Sequence, residues 1–258
     1  DGKNVTVIGS GATAVTIVPV MAQEGAQVTM LQRSPTYMVS RPARDKFANN
    51  LRKFLPEKLA YAITRWRNIN MQRFTYWAAR KNPAKMGKRL IDMARTELPA
   101  SVDVDTHFTP KYGPWEQRLC LIPDSDMFKA ISEGKAEVVT DHIDHFTKTG
   151  IQLKSGKHID ADIVITATGL NLVTLGKADL SVDGVQVNFG EHFNYKGVMF
   201  NDIPNLASVF GYINASWTLK TDIVADYVCR LLKEMDKKGA VVANPHLDIP
   251  DMPRLPFV

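Results

Sequence analysis

Residues 4–34 read NVTVIGSGATAVTIVPVMAQEGAQVTMLQRS, and their order decides the fold. Val5, Val7 and Ile8 form a β-branched run that predicts a short buried strand. Gly9-Ser10-Gly11-Ala12-Thr13-Ala14 turns the chain into a helix that ends at Gly25, and residues 27–31 (QVTML) predict a second strand. Strand, glycine turn, helix and parallel strand in about 30 residues make a βαβ unit, so the fold class is α/β with a Rossmann-type domain.

Outward from this unit the pattern changes. Residues 42–110 predict helices broken at Pro56, Pro83 and Pro99. Residues 121–134 read as a loop entering a helix, and 137–140 as a short strand. Residues 146–165 alternate apolar and polar side chains around Lys154-Ser155-Gly156-Lys157, as a hairpin does. Residues 162–165 (DIVI) predict a buried strand leaving through Ala167-Thr168-Gly169. Further on, 206–210 predict a strand, 218–235 an amphipathic helix, and the tail from Pro245 an extended segment.

The chain has 258 residues, 45% hydrophobic and 23% charged, enough for one large or two modest domains with real cores. No apolar run approaches the roughly 20 residues a spanning helix needs. Cys120 and Cys229 lie far apart, which excludes a disulfide framework and makes a reducing cytoplasm the expected location. The opening at Asp1, without Met and leading straight into a strand, predicts a piece of a longer protein.

The formal charge of +5 is unevenly spread. Residues 33–95 hold 16 of the 32 basic side chains and three acids, Asp45, Glu57 and Asp92, for a segment charge of +13. Interleaved with Tyr61, Trp66, Phe74 and Trp77, such a block suits nucleic acid, an anionic membrane surface or a phosphate-bearing cofactor. The preferred reading is plainer. Leu59, Ile63, Trp66, Ile69 and Tyr76 recur at helical spacing, which predicts solvated cations and inward-packed aromatics.

Chemistry concentrates at Gly9, Ser10, Gly11, Ala12, Thr13 and Ala14. Gly9 makes the tight turn, Gly11 lets backbone approach a pyrophosphate, and Ala14 packs helix on strand. The helix N-terminus turns its N–H groups and positive dipole toward the phosphates. A free ribose 2′-OH is usually held by an acid at the end of the second strand, but Gln32-Arg33-Ser34 stands there. A guanidinium pairs with a 2′-phosphate, so Arg33, with Ser34 as a second donor, favours NADP(H) over NAD(H) or FAD; a solvated surface arginine is the alternative. His142 and His145 sit three apart without further ligands, and no metal site is expected.

With VIGSGATAV, TMLQRSPTY, QRLCLIP, TGIQL, DADIVITATGLN and GYINASWTLK in order, the chain resembles the Baeyer–Villiger branch of the class B flavoprotein monooxygenases, and within it the ethionamide-activating monooxygenases of actinobacteria. The resemblance implies an NADP domain over 1–165, with a helical insertion at about 42–110, and part of an FAD domain over 166–258. The family's first FAD glycine motif and its Phe-x-Gly-x-x-x-His-x-x-x-Trp fingerprint are absent, which predicts a fragment lacking the N-terminal FAD-binding half and inactive alone.

As the resemblance implies, NADPH reduces FAD, O2 gives a C4a-peroxyflavin, and a ketone becomes an ester or lactone, or a sulfur-containing substrate is oxygenated at sulfur. It assigns Arg118 as the catalytic residue beside the flavin; residue chemistry alone favours a structural salt bridge there. Gln117 replaces a lysine that many relatives carry before that arginine, leaving Arg33 more of the 2′-phosphate. Thr168 and Gly169 match the linker between the domains, and Asn214 and Trp217 a segment against the flavin; a plain N-cap with a packing Trp serves equally for the latter pair. Two other readings stand beside the enzyme: an NADP(H)-binding module whose partner brings the flavin, and a basic interaction protein. Contact with nucleic acid is not expected, and weak contact of segment 33–95 with a membrane surface is left open beside the plainer reading.

Overall fold

The computed structural model describes residues 2–117, 119–171, 173–212, 217–249 and 251–254. The chain divides into two compact units, Asp1–Leu170 and Asn171–Val258.

The first unit runs β1 (Asn4–Ile8), α1 (Ala12–Gln23), β2 (Gln27–Gln32), β3 (Tyr37–Arg41), α2 (Lys46–Phe54), α3 (Glu57–Lys81), α4 (Pro83–Glu97), α5 (Val104–His107), β4 (Leu119–Pro123), α6 (Asp126–Ser132), β5 (Ala136–Thr140), β6 (Ile143–Phe146), β7 (Gly150–Leu153), β8 (His158–Asp160) and β9 (Ile163–Thr166). Its main sheet has the order β5-β2-β1-β9, every pair parallel. That is the strand order of a dinucleotide-binding half-fold.

Side-chain parity explains the layers. Val5, Val7, Val28 and Met30 bury with Ala14, Val15, Val18 and Ala22 of α1. Ile8 and Leu31, of opposite parity, pack with Ile151, Leu153 and Ile159 from the antiparallel sheet β6-β7-β8. Each large side chain so buried contributes about 1.5–3 kcal/mol. Both faces are thus covered at β1 and β2, so that even Thr6, Thr29 and Gln32 are buried among their apolar neighbours.

Prolines punctuate the insertion as expected. α2 stops at Phe54 ahead of Pro56, which itself stands at the N-cap of α3. Pro83 opens α4, whose N-cap Asn82 accepts a bond from the Lys85 N–H at 3.1 Å. α4 then ends at Glu97, before Pro99.

Four local expectations need correction. The aromatics of α3 do not pack inward: Trp66 is 70% and Phe74 66% exposed, whereas Ala60 and Ala79 are buried. Helical spacing gives a stripe but not the side on which it lies. Residues 119–123 form β4, so that 121–123 are strand where the loop of 121–134 was expected, because β3 offers a parallel edge from Tyr37↔Leu119 to Arg41↔Pro123. β9 is not a buried strand; it pairs with β1 at one edge and leaves Ile163 and Val164 exposed. Residues 206–210 make only the isolated bridge Met199↔Ala207, since the strand beside them is two residues long.

The second unit contains β10 (Ser181–Val182), β11 (Val185–Gln186), β12 (Asn194–Tyr195), β13 (Met199–Phe200) and α7 (Trp217–Lys238). Val198, Met199 and Val224 form its small core with Tyr227, Val228 and Leu231. The tail is extended and tied down, Asp202 N–H bonding to Pro245 O at 2.9 Å and Asn205 N–H to Ala243 O at 2.9 Å.

Candidate functional site

The C-terminal ends of β1, β2 and β9 meet around the glycine turn. Gly9 N–H bonds to Leu31 O at 2.8 Å, and Ala167 N–H to Ile8 O at 2.7 Å. Gly9 has φ +132°, and a Cβ there would lie 2.3 Å from the carbonyl oxygen of Ala167. Two independent constraints therefore demand glycine at this position. Gly11 is different: nothing lies within 4 Å of where its Cβ would be, so the space above the turn is open.

α1 begins at Ala12 with Gly11 as N-cap, without a side-chain cap and without an acid in its first turn. The first N–H groups are left for an external acceptor, and the positive helix end favours an anion. Ala12 and Thr13 are exposed beside the opening; Ala14 is fully buried against β1.

Ser10 joins this turn to the end of β2. Its hydroxyl, buried, donates to Ser34 O at 3.2 Å. Arg33 and Ser34 are exposed there, and Arg33 makes no ion pair among the described residues. An unpaired guanidinium next to an uncapped helix N-terminus fits a ligand with two separate phosphate groups. Thr168 and Gly169 follow the Ala167 contact, Gly169 at φ +96°. The structure thus brings Gly9–Ala14, Arg33, Ser34, Thr168 and Gly169 to one end of the sheet. Arg118 and Asn214 lie outside the described residues. Trp217 starts α7 in the second unit, its ring 5.0 Å from that of Phe210.

Several supporting residues escaped the sequence reading. Cys120, two places beyond Arg118, brings its Sγ to 3.7 Å from Ser10 O. Gln32 is buried, donating from Nε2 to His107 O at 2.7 Å and to Thr140 Oγ1 at 2.9 Å; its Oε1 has no partner among the described residues. His107 Nδ1 lies 2.8 Å from the same Thr140 hydroxyl. Burial holds the His107 imidazole below its ordinary pKa, the nearby Asp103 carboxylate pulling the other way. An Asn, Gln or His in an otherwise apolar strand end was the available signal, but its partners lie 75 and 108 positions away.

A cleft of about 620 Å3 between α4 and residues 109–116 shares no residue with the turn. Among the described residues, no group of three or more His, Cys, Asp or Glu side chains could hold a metal ion.

No family model matches the chain. Over its full length it is 52% identical to the FAD-containing monooxygenase EthA of Mycobacterium tuberculosis, covering 53% of that protein. It is 54% identical over 96% of its length to the probable FAD-binding monooxygenase AlmA of an Acinetobacter species, covering 50% of it. The chain therefore spans about half the length of the curated relatives it matches. Among solved structures, OTEMO in complex with FAD and NADP superposes with a TM-score of 0.72 at 18% identity, over 95% of this chain and 54% of that one. An oxidized steroid monooxygenase bound to NADP does so at 0.69 and 17%, over 97% of this chain and 56% of that one.

Proposed function

Since the chain is, along its whole length, a homologue of about half of an FAD-containing monooxygenase, we propose that it is the NADP(H)-holding portion of an NADPH- and FAD-dependent monooxygenase. The observation that carries this reading is the Ser10–Ser34 hydrogen bond, which joins an uncapped glycine turn to a strand end bearing an arginine with no ion pair among the described residues.

Residues 1–165 hold the nicotinamide dinucleotide, and 166–258 belong to the FAD-binding domain. Gly9 and Gly11 let the pyrophosphate reach the backbone, and the N–H groups of Ala12, Thr13 and Ala14 point at it from the helix end. Ser10 braces the turn. Arg33 and Ser34 take the 2′-phosphate, which selects NADPH over NADH. The flavin, when bound, supplies hydride acceptance and oxygen activation. Thr168, Gly169, Asn214 and Trp217 are assigned to its surroundings. Arg118 is assigned the catalytic role of holding positive charge against the oxyanion that develops as oxygen is delivered to the substrate.

The substrate is a ketone, converted to an ester or lactone, or a sulfur compound, oxygenated at sulfur; O2 and NADPH are consumed and water is released. The location assigned is the cytoplasm, with weak contact to a membrane surface through segment 33–95. Among the described residues no helix is long and apolar enough to cross a membrane.

Titration of the protein with NADPH and NADH, wild type against Arg33→Ala, tests the reading. Losing one charge-assisted phosphate contact costs about 1.5–3 kcal/mol, a weakening of roughly 10- to 150-fold for NADPH, with NADH little changed. Equal affinities in the wild type would sink the assignment of Arg33 and the cofactor preference together.

A further inference from the structure

Helix α3 is built inside out. Its buried residues are Ala60 and Ala79, while Leu59, Tyr61, Trp66, Ile69, Met71, Phe74, Tyr76 and Trp77 are all exposed. Leu59, Trp66 and Trp77 are spaced by seven and eleven residues, which returns them to one face at 3.6 residues per turn. Phe74 flanks the same face. α2 adds Phe47 and, at its end, Phe54, which is 84% exposed.

Cations surround this apolar surface. α3 carries Lys58, Arg65, Arg67, Arg73, Arg80 and Lys81 against one acid, Glu57; α2 carries Lys46, Arg52 and Lys53 and no acid. Among the described residues only Arg67 of these is ion-paired, to Asp45 at 3.2 Å. That pair, with the Arg67 guanidinium 4.5 Å from the Phe47 ring centre, fixes α2 to α3. Lys81 Nζ lies 4.8 Å from the Trp77 ring centre.

We propose that the α2–α3 face is an interfacial membrane contact, seated on the headgroup region of an anionic bilayer. Trp and Tyr favour the water–hydrocarbon boundary, Leu, Ile, Met and Phe enter the acyl layer, and Lys and Arg remain at the phosphates. Charge complementarity selects this occupant. A second copy would set one cation-rich face against another, and a protein interface core is depleted of charge, above all of Lys. Single-stranded nucleic acid uses stacking aromatics and cations, but gains nothing from Leu59. The proposal places the membrane contact of segment 33–95 on these two helices. It does not depend on the oxygenation chemistry, and NADPH binding is followed separately so that failure of one leaves the other standing.

Flotation of the intact protein with phosphatidylglycerol-rich and with pure phosphatidylcholine vesicles is the test. Binding to the anionic vesicles at low salt is expected, with release at high salt and little binding to the zwitterionic ones. Trp66→Ser/Phe74→Ser/Trp77→Ser should weaken it at least about tenfold, as should Arg73→Gln/Arg80→Gln/Lys81→Gln, with thermal stability and NADPH binding unchanged. Should the triple aromatic variant misfold, Phe54→Ser alone should still weaken binding severalfold. Absence of vesicle binding at low salt, or binding that survives these substitutions, overturns the proposal. So does conversion of an oligomer to a monomer by the aromatic variant, which would give the face to a second copy. Preferential binding of single-stranded DNA, lost in the same variants, would overturn it in favour of nucleic acid.

Discussion

At the residue scale, two glycines of one motif answer to different masters. Gly9 is required by the fold, through its positive φ and the Ala167 carbonyl that occupies the place of a Cβ. Gly11 is clear of neighbours, and as N-cap it has φ −83°, a conformation any residue adopts. Gly9→Ala should therefore destabilise the protein by more than about 2 kcal/mol. Gly11→Ala should change stability by less than about 1 kcal/mol while weakening NADPH binding about tenfold. Thermal melts with and without NADPH separate the two; a Gly11 variant that binds normally would remove the pyrophosphate from this turn. Sequence alone marked both residues, because turn chemistry is local. It could not rank them, because the Ala167 carbonyl arrives from more than 150 positions away.

Among elements, α5 is moored to the sheet by the Gln32–Thr140–His107 cluster, and pH acts on this joint. Burial lowers the His107 pKa from its ordinary 6.5, with Lys157 adding to the effect and Asp103 and Glu137 opposing it. The unfolded imidazole thus takes a proton before the folded one does. Stability from this site is full above about pH 6.5 and falls as pH drops below that value, until the folded ring is itself protonated. His246, held high by Asp202 in the other unit, contributes with the opposite sign. Comparing wild type with His107→Gln at each pH cancels it, and the variant should lose less melting temperature between pH 7.5 and 5.5. An equal loss would mean that His107 is not the titrating group. Elements whose signal is local were legible: β1, α1 and β2 from periodicity and the turn, and the helix breaks from Pro56, Pro83 and Pro99. Those that depend on a distant edge were not. Tyr37–Arg41 becomes a strand only because Leu119–Pro123 returns beside it, and residues 206–210 fail to become one for want of such a neighbour.

On the scale of the whole molecule, composition allowed one large or two modest cores, and did not say which, nor which faces stay uncovered. The chain partitions between Leu170 and Asn171, and Leu170 is 98% exposed. Limited chymotrypsin digestion should cut first at Leu170 and leave the first unit resistant, as mass spectrometry of the fragments would show. First cuts inside α1 or β2 would contradict the partition. The exposed apolar surfaces at β9 and α3 share an origin. A hydrophobic run announces that apolar side chains will be covered, and leaves unstated whether by this chain or by something else.

The crowding of Gly9 by Ala167 has a consequence for how this sequence can drift. Every single-nucleotide change that replaces a glycine codon with another amino acid installs a Cβ, so position 9 is closed to mutation as long as the domain folds. On the proposed assignment, position 11 is closed only while a dinucleotide is bound there. In a lineage that gave up the cofactor but kept the domain, the second glycine would erode and the first would remain. A descendant carrying Gly at 9 with a bulky residue at 11 would be a fossil of the lost chemistry.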